Sequence, residues 1–217
     1  MNLNIILRDK LHFFEKKNFS HSNLKTFFKY AQNLSLNPES SYYKGIFYEY
    51  IVQKTLRKYN MDLWRSGGTN DCGIDLRGKW YYEIGQIKYQ CPIIVQCKNQ
   101  KKKIGPKCVR ELEGVLSNEN ENILGLISCC GFTQIAQKQM LKASKAMAMC
   151  VILPKENDGY LEKFIWNIKA SELIKGLGVQ FRYIQKTSHT SIRTDVCQEL
   201  VLTINGHIIK YQDFEGY

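Results

Sequence analysis

A glycine-rich turn that delivers an acid, followed by a buried strand ending on two polar side chains, constrains this chain more than any other feature. The turn is Gly67-Gly68-Thr69-Asn70-Asp71-Cys72-Gly73-Ile74-Asp75, and the strand is Ile93-Ile94-Val95-Gln96-Cys97-Lys98. Residues i and i+2 of a strand point to one face. Gln96 and Lys98 therefore project together, and Asp75 on a neighbouring strand is placed to meet them. A polar pair at the end of a buried strand is costly unless it is paired or used. A carboxylate, an amide oxygen and an ammonium group at one spot can bind a divalent cation and hold a water beside a phosphate. By itself Asp75 after Gly73 reads as a plain turn acid, because Asp is favoured in turns. The company of Gln96 and Lys98 turns the reading towards a site, whereas Asp71 reads as a loop residue.

The surrounding periodicity predicts an alternating chain. A first helix starts at Ser22, with that hydroxyl as cap, and runs to about Leu34. Asn37-Pro38 breaks it, and a longer helix spans Glu39 to Lys58. Strands follow at Met61 to Arg65 and Ile74 to Arg77, with Trp80 to Ile84 extending the hairpin, and Ile93 to Gln100 is the central buried strand. Pro106 opens a helix that ends near Leu116. A strand over Asn122 to Cys129, a helix over Gln134 to Lys145 and a strand over Met149 to Leu153 complete the pattern. This α-β-β-β-α-β order is that of an α/β fold, a mixed sheet flanked by helices. Beyond Pro154 the pattern loosens into strands at Phe164 to Ile168, Val179 to Ile184 and Glu199 to Ile204, a short helix at Ser171 to Lys175, and a polar, mobile loop from Lys186 to Thr194. Three segments result: an N-terminal helical segment over 1–37, a core over 38–154 and a C-terminal α/β extension over 155–217.

The motif and its order resemble the PD-(D/E)xK nuclease superfamily, in particular the Mrr-like restriction endonuclease branch, which carries Gln where most of the superfamily has an acid. Gly45-Ile46-Phe47-Tyr48-Glu49-Tyr50 is similar to that family's first helix, with Glu49 as its acid. Val109-Arg110-Glu111-Leu112-Glu113-Gly114 is similar to the helix after the lysine strand, and Leu124-Gly125-Leu126-Ile127-Ser128 with Phe132, Thr133 and Ala136 to the next strand and helix. A narrower resemblance lies in Tyr48-Glu49-Tyr50, Arg65-Ser66-Gly67-Gly68, Gly73 to Trp80 and Val95-Gln96-Cys97-Lys98, which look like a fungal mitochondrial protein family required for respiratory growth.

The resemblance implies a restriction-endonuclease-like fold, a mitochondrial location and metal-dependent cleavage of nucleic acid, DNA before RNA. It assigns Mg2+ or Mn2+ to Asp75, Gln96 and Glu49, with the Cys97 carbonyl as a further oxygen, and sets Lys98 beside the attacking water. A neutral Gln96 removes one negative charge from such a site, which weakens metal affinity. Glu49 also reads as an ordinary solvated helix acid, as do Glu111 and Glu113, although Glu111 is within reach of the site edge. Two other functions stay open: a silent nucleic-acid-binding module of the same fold, and a mitochondrial maintenance or assembly factor that works through protein contacts.

Charge narrows the partners. The chain carries 31 basic and 20 acidic residues, a net charge of +11. An anionic partner fits, nucleic acid ahead of an acidic membrane surface. Lys101, Lys102, Lys103, Lys107 and Arg110 follow Lys98 with no acid among them, in the position of a phosphate-contacting run; a solvated loop is the plainer alternative. Trp64, Trp80, Tyr81 and Tyr82 could stack on bases, but core packing suits most of them better. There is no apolar run of about 18 residues and hence no expected transmembrane segment. The eight cysteines include no CxxC pair, and the four histidines have no ligand spacing to a cysteine pair, so reduced thiols are expected and zinc is not. Leu3, Ile6, Leu7, Leu11 and Phe14 recur at helical spacing beside Arg8 and Lys10. They fit either a mitochondrial presequence, against which Asp9 and Glu15 speak, or an ordinary first helix.

Overall fold

The computed structural model describes residues 20–66, 73–119, 122–187 and 194–209. The N-terminal stripe from Leu3 to Phe14, the Gly67 to Cys72 part of the turn and most of the polar stretch before Thr194 lie outside the described residues. The first described helix, α1, is Leu24–Asn33. Its cap is Asn23 rather than Ser22: the Asn23 side chain accepts the Thr26 N–H, and Thr26 answers at the Asn23 N–H. An amide oxygen one residue closer to the first turn wins that position. Helix α2, Ser41–Arg57, starts at Ser40, whose hydroxyl accepts the Tyr43 N–H.

Strands β1 (Met61–Arg65), β2 (Leu76–Ile84) and β3 (Ile87–Lys98) form an antiparallel meander. Helix α3 (Pro106–Ser117), β4 (Leu124–Cys129), α4 (Gln134–Leu141) and β5 (Met147–Lys155) follow. Both β3–β4 and β4–β5 pair in parallel, and each is joined through a helix, as parallel neighbours require. Strand β6 (Asp158–Trp166) returns antiparallel to β5 and closes a six-stranded mixed sheet of order β1-β2-β3-β4-β5-β6. The sheet therefore continues past the boundary expected at residue 154. The strand expected from Phe164 begins earlier, at Asp158, because its first half buries only Leu161 and so forms no apolar run. Helix α4 also stops short of Lys145, at Leu141.

Each face of the sheet has its own core. On one face α2 lays Tyr48, Ile51, Val52 and Leu56 against Leu76, Trp80, Ile93, Val95, Leu126 and Cys150. On the other, α3 and α4 bring Val109, Leu112, Leu116, Ala136 and Met140 to Ile94, Ile127 and Met149. Strand β4 is buried along its whole length, as a central parallel strand covered on both faces should be. Burial of apolar area on this scale is the main favourable term holding the layers together. Of the aromatics Trp64, Trp80, Tyr81 and Tyr82, Trp80 and Tyr82 are core residues, while Trp64 and Tyr81 are half-buried. At Gly78 the sheet needs glycine, because a Cβ there would lie 2.0 Å from the Asp62 carbonyl oxygen.

A short helix, α5 (Ile168–Leu173), leads to a second sheet of β7 (Leu177–Thr187), β8 (Thr194–Ile204) and β9 (His207–Ile208). Lys186, Thr187 and Thr194 belong to its ladder, where a mobile loop was expected; cross-strand pairing extends further than side-chain polarity implies. Leu200, Leu202 and Ile204 enter the first core, and the Tyr59 hydroxyl donates to the Leu200 carbonyl at 2.9 Å. Cys91, Cys97, Cys108, Cys129, Cys130, Cys150 and Cys197 are all free thiols. Among the described residues no helix is long and apolar enough to cross a membrane.

Candidate functional site

Strand β3 runs out of the sheet with its side chains divided between two faces. Ile94 packs under α3 and α4, so Gln96 and Lys98, two and four residues on, share that face. Val95 and Cys97 face α2. Asp75 stands at the mouth of β2, where the ladder with β3 begins at Leu76 opposite Val95. Its N–H donates to the Val95 carbonyl at 3.0 Å. Its carboxylate accepts the Cys97 N–H at 2.6 Å, a charge-assisted bond that takes the place of a ladder partner. The acid is thereby fixed at the residue between Gln96 and Lys98.

Gln96 is 3% exposed, and its side-chain oxygen Oε1 is buried with no hydrogen-bond partner among the described residues. A buried unpaired amide oxygen is a group that native structures seldom leave without a use. Gly73 lies against the same side chain: a Cβ there would come within 2.8 Å of Gln96 Nε2, and the backbone φ of +78° favours glycine as well. Lys98 is 25% exposed, with Nζ 3.9 Å from Glu111 Oε2 on α3. Glu111 thus stands beside Lys98.

Glu49 approaches from α2, on the opposite face. Its Oε2 lies 2.5 Å from Nε of Arg65, the last residue of β1, and the two side chains are 12% and 10% exposed. The next residue, Ser66, donates its N–H to the Asp75 carbonyl at 2.9 Å, so the Glu49–Arg65 pair adjoins the strand that carries Asp75. Burial first, and then the carboxylates of Asp75 and Glu49, push the Cys97 thiol well above its ordinary range. That thiol is an inert neighbour of the two acids rather than a nucleophile. Among the described residues no three His, Cys, Asp or Glu side chains gather into a metal-binding cluster. A divalent cation here would need amide or carbonyl oxygen beside its carboxylates.

Lys101, Lys102, Lys103, Lys107 and Arg110 are all exposed. Lys107 reaches Glu111 at 3.8 Å; among the described residues the other four make no ion pair. The loop bearing the three consecutive lysines is anchored by buried Ile104, whose N–H donates to Gly131 O at 2.9 Å and whose carbonyl accepts the Thr133 N–H at 3.0 Å.

The profile of the family described as "Required for respiratory growth protein 7" matches residues 40–92 and 81–177 of this chain. The chain belongs to that family. An uncharacterized mitochondrial protein of Schizosaccharomyces pombe is 31% identical over 166 residues, 76% of this chain and 66% of that protein. The chain thus spans about two thirds of that relative's length. The Required for respiratory growth protein 7 of Vanderwaltozyma polyspora, also mitochondrial, is 26% identical over 221 residues, covering 76% of this chain and 87% of the relative. Among solved structures, the MspJI restriction endonuclease in complex with a 27-mer oligonucleotide matches 56% of this chain and 28% of its own, at 15% identity and a TM-score of 0.39. That likeness is too slight to bear on activity. The protein is mitochondrial, as its named relatives are.

The matched stretch of this Required for respiratory growth protein 7 family member contains Glu49, Arg65, Asp75, Gln96 and Lys98 together. Sequence reasoning missed what Arg65 does. The available signal was a lone cation at the end of β1, directly before the glycine turn, in a stretch already singled out for its resemblance.

Proposed function

We propose that this mitochondrial protein hydrolyses phosphodiester bonds in nucleic acid, DNA in preference to RNA, with a divalent cation held at the end of β3. The observation that carries the reading is the buried, unpartnered Oε1 of Gln96 on the strand face that ends at Lys98, beside an Asp75 carboxylate fixed on the intervening residue. Hard oxygen donors of this type suit Mg2+ or Mn2+. Asp75 and Gln96 would hold the ion; Glu49, on the α2 side of β3, would be the further carboxylate only on leaving Arg65, and a bound ion would neutralise charge on the phosphate and acidify a water.

The chain's own part is positional. Asp75 and Gln96 set the site's edge. Lys98 Nζ donates to the attacking water or to a non-bridging phosphate oxygen, where negative charge grows in the transition state. The exposed cations Lys101, Lys102, Lys103, Lys107 and Arg110 hold the polyanion by its backbone without reading sequence.

A specific observation favours a second reading, a silent nucleic-acid-binding module. Glu49 is paired with Arg65, and Gln96 brings no charge, so the expected set offers less negative charge than a cluster of free acids would supply. A cleavage assay decides between the two. The purified full chain is incubated with single- and double-stranded DNA and with RNA, in Mg2+, in Mn2+ and in chelator. Cutting that needs the ion supports the hydrolase. Binding without cutting in every arm supports the module.

A further inference from the structure

We propose that Arg65 is a built-in competitor for Glu49: its guanidinium holds the carboxylate in the free protein, and a divalent cation at the Asp75 site recruits that acid only by displacing it. The proposal rests on the metal-site reading above and specifies how that site is regulated.

Three observations support it. The Glu49 Oε2 to Arg65 Nε distance is 2.5 Å, and both side chains are about nine-tenths buried, so the pair is well shielded from solvent. The Arg65 guanidinium stands 5.6 Å from the centroid of the Tyr50 ring, and the Tyr50 hydroxyl is held in turn by His21 Nδ1 at 2.5 Å; the cation is braced from behind. Arg65 is paired with Leu76 across β1 and β2, and Ser66 is bonded to Asp75, so the pair sits next to the acid that would anchor the ion.

The consequence is a site that is poor in negative charge when empty. Asp75 offers one charge, Gln96 none, and that of Glu49 is cancelled by Arg65. A divalent cation has to outbid a buried guanidinium for its second carboxylate, and the guanidinium repels it as well. Once Glu49 moves to the ion, Arg65 loses that carboxylate next to the site, and an incoming phosphate can take its place. Occupancy of the site is thereby tied to the presence of the polyanion.

The test is Mn2+ affinity of the purified full chain, read by electron paramagnetic resonance or calorimetry with no substrate present. Arg65→Gln is expected to tighten Mn2+ binding by roughly tenfold. Adding Glu49→Gln to it is expected to abolish the gain. Removal of Arg65 also leaves a buried carboxylate unpaired, so folding is checked by circular dichroism. If Arg65→Gln does not fold, Arg65→Lys takes its place; a single-point ammonium holds the carboxylate less firmly, and the gain keeps its sign at smaller size.

Arg65 variants that bind Mn2+ no tighter than the wild type overturn the proposal, as does a gain that survives Glu49→Gln. Wild-type binding that is lost in Asp75→Asn while the Arg65 variants change nothing removes the competitor and leaves the metal site standing. Absence of saturable Mn2+ binding in the wild type and in every Arg65 variant removes both.

Discussion

The Asp75 carboxylate accepts the Cys97 N–H at 2.6 Å and so binds the acid of the turn to the strand that carries Gln96 and Lys98. Structural and chemical roles of this acid can therefore be separated. Asp75→Asn keeps an acceptor oxygen and is expected to fold within about 1 kcal/mol of the wild type, with cation binding lost. Asp75→Ala leaves the Cys97 N–H without its acceptor and is expected to cost about 1–3 kcal/mol. Urea unfolding of the two variants, set beside Mn2+ binding, checks both halves.

Lys98 is expected to act on the reaction and not on the fold. Its ion pair with Glu111 is long and half exposed at the acid, a type worth little to stability. Lys98→Ala should unfold within about 0.5 kcal/mol of the wild type. Cleavage should fall by at least about a hundredfold, while DNA binding measured by anisotropy stays within a factor of a few. Cleavage at the wild-type rate would remove the lysine from the mechanism.

Reversing the charge at Lys101, Lys102 and Lys103 is expected to weaken DNA binding alike on unrelated sequences. Each lost phosphate contact lowers the slope of log affinity against log salt by about 0.9 on duplex DNA. An unchanged slope across a salt titration would show the loop to be only solvated surface.

His21 supplies the pH dependence. It is buried against Tyr50, Phe27 and Tyr30, and that burial, followed by the charge of Arg65, lowers its pKa to about 4. A histidine that must fold neutral takes up its proton more readily when unfolded. Its stabilising contribution is thus full above the unfolded value near 6.5 and is lost as pH falls through the interval down to about 4. The unfolding free energy should fall across that window with a slope of about one proton, and His21→Asn should flatten it. Chemical denaturation at several pH values reads the slope directly.

Most of the core was legible because its elements obey simple periods. The apolar β4 and the amphipathic α1 and α3 declare themselves, and the i, i+2 rule alone puts Gln96 and Lys98 on one face. What stayed hidden depends on partners far away in the chain. The first four residues of β3, from Ile87 to Gln90, are exposed and mixed in character, and only their pairing with β2 makes them a strand. The Asp75 bond is to a backbone N–H, which no side-chain pattern encodes. The Glu49–Arg65 pair joins a helix to a strand end across a turn, and nothing local in either segment specifies the other.

The bonds of Ile104 to Gly131 and Thr133 have a mechanical consequence for the basic loop. A free basic tail wraps to suit whatever polyanion it meets. Here the base of the loop is stapled at Ile104 to the segment entering α4, so the three lysines rise from a fixed root. If the row does meet a polyanion, it would do so at one place on the surface, just past the end of β3, whatever the sequence carried there.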